Sequence, residues 1–326
     1  MAIPTNKHLY LVAGSATRAL AEEIAHELSV NLGNPNVAEF ANGEVHVRFG
    51  ESVRGSDVFI VQTHAAYEGR SLNDSIMEQL IMVDAAKRAS AKRITVVCPF
   101  YGYARQDRKA TGREPITARL LADLFETAGA KRMVSVDLHS GQIQGFFNGP
   151  VDHLTAMPVL LDALAEYGED IVMVSPDTGR VKVAEKYAQA LHCDIAFVYK
   201  SRRKDAKNVV EAKEVIGEVE GRTCVLIDDM IDTGGTIVAA ADLLIERGAH
   251  KVIAACTHGV FSGPAIDRIK TSAIERVLCT NTLPLPSEKQ IDKIEQLSVA
   301  PIIGRAIDAV FRDESVSEIF GGNNLS

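Results

Sequence analysis

The stretch from Cys224 to Thr236 constrains the fold of this chain more than any other. A short apolar run, Cys224–Ile227, ends abruptly in the adjacent carboxylates Asp228 and Asp229. Asp232, Thr233, Gly234, Gly235 and Thr236 follow, and then Ile237–Leu244, apolar and alanine-rich, which reads as a helix. Strand, acidic turn, glycine loop and helix start make a βα unit with the parts of a phosphate cradle. Glycines let backbone N–H groups approach a phosphate closely, and the helix N-terminus adds a favourable dipole. Asp228 and Asp229 repel a phosphate themselves, so their expected partners are sugar hydroxyls or a Mg²⁺ ion bridging to phosphate. The segment points to a phosphorylated sugar held at both ends. The plainer alternative is a buried strand followed by an ordinary turn.

The rest of the chain repeats the same alternation. Strands are predicted over Leu9–Ala13, Val58–Gln62, Ile94–Cys98 and Met133–Asp137. A second series covers Ile171–Ser175, Ile195–Tyr199, Cys224–Asp228, Val252–Cys256 and Val277–Thr280. Helices are predicted over Ala16–Leu28, Asp74–Ala89, Ala118–Thr127, Met157–Tyr167, Gly179–Leu191 and Thr236–Arg247. This order predicts an α/β protein of two similar domains, each a mostly parallel sheet flanked by helices. A faint internal echo agrees: helix–Gly–strand junctions at Glu126–Met133 and Glu246–Val252 both lead to a strand that reaches a His, His139 and His258. The expected boundaries are 1–154 for the first domain and 155–308 for the second, with a tail of about 309–326 packing back on the first.

With 326 residues the chain can build two sizeable cores. Its formal net charge of −8 argues against a general nucleic-acid or anionic-membrane binder. No basic region followed by a long apolar segment opens the chain, and no apolar run reaches the ~20 residues that span a bilayer. The expectation is a cytoplasmic protein. The five cysteines are scattered without a C-x-x-C pair, so buried free thiols are expected rather than disulfides or zinc ligands.

Three further stretches carry chemistry. Pro99–Lys109 follows a strand and is densely basic; Arg105, Arg108, Lys109 and Arg113 can surround a polyphosphate through paired hydrogen bonds, unless the run is only a solvated loop. His139 and Asp177 stand at matching strand ends of the two domains and together can hold a Mg²⁺ ion on nucleotide phosphates, unless the His is a structural residue with its hydrogen bonds met inside the fold. Lys200–Asn208 is charged and non-periodic; it reads as an exposed, mobile loop, either solvated and no more or able to close over reactants and neutralise transition-state charge. No G-x-x-x-x-G-K-[ST] is present, so a nucleotide would bind without a P-loop.

Together these stretches resemble the ribose-phosphate diphosphokinase, or PRPP synthetase, family over about Phe40 to Phe320. The 224–236 loop is similar to the PRPP loop shared with phosphoribosyltransferases. Tyr103–Lys109 and Gln142–Phe147 narrow the match to the synthetases, and Phe40–Glu44, Glu51–Gly55, Asp137–His139, Val174–Asp177 and Thr257–Ala265 complete it. The resemblance implies a phosphoribosyltransferase type I-like fold, with the nucleotide on the first domain and the sugar on the second. It implies an Mg²⁺-dependent reaction in which the C1 hydroxyl of ribose 5-phosphate attacks the β-phosphorus of ATP, giving PRPP and AMP. By that resemblance Asp228, Asp229, Asp232, Thr233, Gly234, Gly235 and Thr236 bind ribose 5-phosphate, and His139 and Asp177 ligand the metal. Arg105, Gln106, Asp107 and His139 contact ATP, while Phe40, Asn42 and Glu44 hold adenine from a neighbouring subunit of a homohexamer. Lys200 and Arg202 match the catalytic Lys-x-Arg of the family's flexible loop. Ser52, Arg54, Ser315 and Ser317 fall where relatives bind activating inorganic phosphate or inhibitory ADP.

The chain departs from that pattern at Arg180, where the family has a second Gly after Pro-Asp-x-Gly, at Gly112 in place of a Ser, and at Glu318 in place of an aromatic. Two other functions compete with the synthetase reading. A non-catalytic regulatory relative is expected to lose metal-site or catalytic-loop residues, all of which stand here. A phosphoribosyltransferase needs neither the Arg105–Lys109 stretch nor two similar domains.

Overall fold

The structure is a computed structural model that describes residues 7–168, 170–201 and 212–320. It divides into two units: 1–155 with 282–284 and 298–326, and 156–281 with 285–297.

The first unit holds β1 (Leu9–Ala13), β2 (Leu32–Gly33), β3 (Asn36–Glu39), β4 (Val45–Arg48), β5 (Asp57–Val61), β6 (Arg93–Cys98), β7 (Arg132–Val136) and β8 (Val151–Leu154). Its first helices are α1 (Arg18–Glu27), α2 (Leu72–Arg88) and α3 (Thr117–Ala128). Six strands form one sheet in the order β2-β1-β5-β6-β7-β8, every pair parallel. Parallel strands covered by helices on both faces are buried throughout, which is why they read as continuous apolar runs. β5 is buried at all five positions, and Ile60, Met82, Val96, Phe125 and Met133 meet in the core on one side of it. The sequence signals no strand at β3 and β4, yet the two form an antiparallel hairpin outside the main sheet. Each strand is four residues long, none of them fully buried, which leaves no hydrophobic run to find.

The second unit holds α4 (Met157–Leu164), β9 (Ile171–Ser175), α5 (Val181–Leu191), β10 (Asp194–Ser201), β11 (Ala212–Ile216), β12 (Thr223–Ile231), α6 (Gly235–Glu246), β13 (Lys251–Gly259), α7 (Ala265–Thr271), β14 (Ile274–Thr280) and β15 (Ile294–Leu297). Its sheet runs β11-β10-β9-β12-β13-β14-β15, parallel except for the β10–β11 hairpin. Four of the five cysteines, Cys98, Cys224, Cys256 and Cys279, are buried free thiols within strands, and Cys193 is half-buried and free. Among the described residues no helix is long and apolar enough to cross a membrane.

α8 (Ala300–Arg312) returns to the first unit, although the sequence places the second domain as far as 308. Its apolar face, Ile302, Ile303, Ala306, Ile307 and Val310, is buried. The approach to α1 is close enough that a Cβ on Gly304 would stand 3.1 Å from Glu27 Cβ. Burial of one such side chain contributes roughly 1.5–3 kcal/mol, which explains why the helix follows its apolar face rather than its position in the chain.

Candidate active site

In both sheets the strand order reverses once, between β1 and β5 in the first unit and between β9 and β12 in the second. In open α/β sheets the crevice at the carboxyl ends of the strands flanking such a reversal is where ligands bind. The two crevices differ. At the ends of β1 and β5 the space is taken by a polar network: the buried Glu78 accepts from Ser15 N–H at 2.6 Å, Ser15 Oγ at 3.0 Å and Arg70 Nη1 at 2.9 Å. Gln62 donates to Glu78 at 3.3 Å, and a Cβ on Gly14 would meet the Gln62 side chain at 2.4 Å.

The matching crevice of the second unit carries the acidic loop. The sequence ends this strand at Asp228, but β12 continues to Ile231, because β13 extends beside it and pairs Asp228 with Cys256, Met230 with His258 and Ile231 with Gly259. On its other side β12 pairs with β9 only as far as Leu226 opposite Val174. Asp228 and Asp229 therefore sit on a strand whose edge toward β9 is no longer paired. The turn after β9 fills that edge: Asp177 Oδ1 accepts the Gly179 N–H at 2.8 Å, Ser175 Oγ donates to the Asp177 carbonyl at 2.6 Å, and α5 starts at Val181 rather than Gly179.

From this turn Arg180 reaches back to the acids. Its Nη2 lies 2.6 Å from Asp229 Oδ2 and its Nε 3.4 Å from Asp228 Oδ1. Asp228 Oδ1 also accepts the Asp229 N–H at 2.8 Å. Burial, with Asp229 beside it, pushes the Asp228 carboxyl well up from its ordinary value, and Arg180 opposes that rise. Sequence reasoning registered Arg180 only as a departure; no local signal announces its contact with the acids, which depends on β9 and β12 lying side by side.

The glycine turn follows directly. Gly234 adopts φ +74°, a left-handed conformation suited to glycine, and caps α6. Arg268 Nη1 donates to the Thr233 carbonyl at 2.9 Å, and Ser262 N–H donates to the Asp232 carbonyl at 2.9 Å. Asp232, Thr233, Gly234, Gly235 and Thr236 thus form one turn at a helix N-terminus, where unpaired backbone N–H groups and the helix dipole favour an anion.

In the first unit, Arg105, Gln106 and Asp107 lie on a turn after β6. Tyr103 within it has φ +60°, Gln106 N–H donates to the Tyr103 carbonyl at 2.8 Å, and Thr117 Oγ1 donates to Gln106 Oε1 at 2.5 Å. Gln142 Nε2 donates to Asp107 Oδ2 at 2.7 Å, tying this turn to the segment that follows β7 and carries His139. Asp137, predicted as the last residue of that strand, instead breaks from it with φ +38°. Phe40, Asn42 and Glu44 lie on the tip between β3 and β4, where Phe40 N–H donates to the Glu44 carbonyl at 2.9 Å and the Phe40 side chain is 56% exposed.

One expectation changes and another lies outside the described residues. Lys200 is predicted as the first residue of a loop, but it belongs to β10 and pairs with Lys213, and Ser201 pairs with Ala212. The rest of the predicted loop, including Arg202, lies outside the described residues. The four candidate regulatory residues fall on two segments, Ser52 and Arg54 before β5 and Ser315 and Ser317 after α8. Ser315 Oγ and Ser317 Oγ are 3.1 Å apart.

Among the described residues no group of three His, Cys, Asp or Glu side chains gathers as a metal cage. Mg²⁺ does not require one, because it is commonly held by one or two carboxylates plus substrate phosphates and waters. Asp177, a half-buried hard oxygen donor at the crevice, fits that chemistry.

Comparison with known proteins places the chain. Residues 9–129 match the N-terminal domain of ribose phosphate pyrophosphokinase, and residues 206–321 match the phosphoribosyl synthetase-associated domain. The ribose-phosphate pyrophosphokinase of Streptomyces avermitilis is 54% identical over 96% of this chain and 96% of its own. That of Corynebacterium glutamicum is 54% identical over 97% of each. The crystal structure of phosphoribosylpyrophosphate synthetase from Mycobacterium smegmatis superposes with a TM-score of 0.88 at 52% identity, covering 94% of this chain and all of that one. With the crevice and its acidic loop built as described, these likenesses make the chain an enzyme belonging to the ribose-phosphate pyrophosphokinase family.

Proposed function

We propose that the chain transfers the intact diphosphoryl group of ATP to the C1 hydroxyl of ribose 5-phosphate, giving PRPP and AMP. The observation that carries this reading is the second unit's crevice, where Asp228 and Asp229 stand beside a glycine turn at the N-terminus of α6. Carboxylates accept from ribose hydroxyls, and the turn's N–H groups receive the 5-phosphate. A nucleophile on the same sugar is then fixed in place, so the reaction needs positioning and charge neutralisation more than covalent catalysis.

In this reading the second unit is the sugar side and the first the nucleotide side, with Arg105, Gln106, Asp107 and His139 on ATP. Asp177 and His139 would hold Mg²⁺, which would supply charge neutralisation on the transferred phosphates. Phe40, Asn42 and Glu44 take the adenine of a neighbouring subunit; an exposed aromatic ring on a hairpin tip suits stacking on a base. The site is then shared within a homo-oligomer, a homohexamer as the resemblance implies. Lys200 and Arg202 neutralise charge in the transition state, and inorganic phosphate at Ser52, Arg54, Ser315 and Ser317 activates.

The test is AMP formation from ATP and Mg²⁺ with and without ribose 5-phosphate, with the products identified. AMP and PRPP are expected together and only with the sugar. Hydrolysis of ATP independent of the sugar, or no turnover with substrate binding retained, contradicts the reading.

A further inference from the structure

Arg180 forms ion pairs with both acids of the crevice. The guanidinium, Asp228 and Asp229 are all largely buried, with side-chain exposures of 19%, 21% and 9%. Two neighbouring carboxylates in so dry a place repel each other and resist ionising together. Each remedy has a cost for a sugar site. A proton shared between them turns one acceptor into a donor, and a bound metal occupies the oxygens that hydroxyls need. A guanidinium opposes the repulsion, because it keeps its charge at every working pH, and its planar fork fixes the carboxylates it touches. The fold supplies the placement. Arg180 leaves the turn after β9 at the point where β9 stops pairing with β12, so its side chain lies along the edge of β12 that carries the acids.

Resting on the sugar-site reading above, we propose that Arg180 is a positioning residue for ribose 5-phosphate. It fixes Asp228 and Asp229 side by side and opposes the upward push on the Asp228 carboxyl, so that the pair is oriented toward adjacent ribose hydroxyls. Arg180 acts through the two carboxylates. Its contribution lies in ground-state sugar binding.

The test compares the full-length protein with its Arg180→Met and Arg180→Lys variants. A charge-assisted hydrogen bond contributes about 1.5–3 kcal/mol, so Arg180→Met is expected to raise the KM for ribose 5-phosphate roughly ten- to hundredfold. kcat and the KM for ATP stay within about twofold, since uniform binding is what is lost. Arg180→Lys, which restores charge without the fork, recovers at least part of the sugar affinity. Independently of turnover, ribose 5-phosphate raises the unfolding temperature of the wild type, and Arg180→Met loses most of that shift. An unchanged or lowered KM for the sugar in Arg180→Met overturns the proposal, as does a parallel rise in both substrates' KM, which marks general disruption. If the wild type itself neither turns over ribose 5-phosphate nor is stabilised by it, the sugar-site reading falls and takes the proposal with it. An active wild type with an indifferent Arg180→Met removes the proposal alone.

Discussion

His64 Nδ1 accepts the backbone N–H of Gly102 at 2.8 Å. The same residue's N–H donates to the Phe100 carbonyl at 3.2 Å, and its Nε2 stands 2.9 Å from Gln79 Oε1. An imidazole that accepts at Nδ1 and faces an amide oxygen at Nε2 is neutral, with its proton on Nε2. The approach is tight enough that a Cβ on Gly102 would meet His64 Cβ at 2.9 Å. His64 therefore anchors the start of the turn that carries Arg105 and Gln106.

Burial pulls the His64 pKa from 6.5 down to about 4. The unfolded chain then binds the extra proton between these values, so His64's contribution is complete above the unfolded pKa. It is lost as pH falls toward about 4 and is constant below it. The total is on the order of 3 kcal/mol. Urea unfolding at pH 7 and pH 5 is expected to give a smaller stability difference for His64→Leu than for the wild type. An equal difference assigns the slope to other groups.

Gly234 and Gly55 both have positive φ, +74° and +72°, and a Cβ meets no atom closer than 3.5 Å at Gly234 and none within 4 Å at Gly55. Alanine at either position is expected to cost about 1 kcal/mol through backbone strain. Only Gly234→Ala should also raise the KM for ribose 5-phosphate, because it alone reshapes the turn that heads α6. Thermal unfolding and initial rates of both variants separate the two effects, and an equal change in KM removes Gly234 from the site.

Lys200→Ala and Arg202→Ala are expected to lower kcat by roughly 100- to 1000-fold each, with smaller changes in KM, as for groups that act on transition-state charge. Near-normal turnover in both would withdraw the catalytic assignment. Single-turnover measurements confine the effect to the chemical step.

Chelation with EDTA is expected to abolish turnover and added MgCl₂ to restore it. In Asp177→Ala the Mg²⁺ concentration for half-maximal rate rises about tenfold or more, the loss of one charge-assisted contact. An unaltered Mg²⁺ titration curve would exclude Asp177 as a ligand.

At the opposite end of the first unit's sheet, Asp313 bonds Arg93 Nη1 at 2.6 Å and pairs with Lys7, and Arg93 also pairs with the buried Asp57. Arg93 and Lys7 lower the Asp313 pKa from 3.8 to about 2. Its contribution is present above the unfolded pKa and is lost as pH falls through about 2. Asp313→Asn should therefore be less stable than the wild type by a margin that stays flat from neutral pH to about 5 and narrows below 4. Added salt should shrink the margin, because the pair is exposed. A margin unchanged in acid denies the ion pair any role.

Much of this architecture was legible in the chain. Leu9–Ala13 and Ile171–Ser175 are strands at the predicted bounds, because a parallel strand buried on both faces must be apolar throughout. The acidic turn, Gly234 and the head of α6 were equally readable, since all of their chemistry lies within one short stretch. The β3–β4 hairpin was not, because each strand is only four residues long and at most half-buried, so the alternation in Val45–Arg48 is too short to register. α8 did carry an apolar stripe, but a stripe does not say which core will bury it.

What only the tertiary structure decided is which charges meet. Glu78 and Arg70 close one crevice and Arg180 with Asp228 and Asp229 furnishes the other, though both arise at the same strand reversal. The residues of each set come from separate elements, and their distances depend on where neighbouring strands stop pairing. Local propensity and apolar periodicity settle helices, strands and the glycine turn, since those forces act between near neighbours in the chain. An ion pair between Arg180 and Asp229 forms only when β9 and β12 lie side by side, and that contact belongs to the folded sheet.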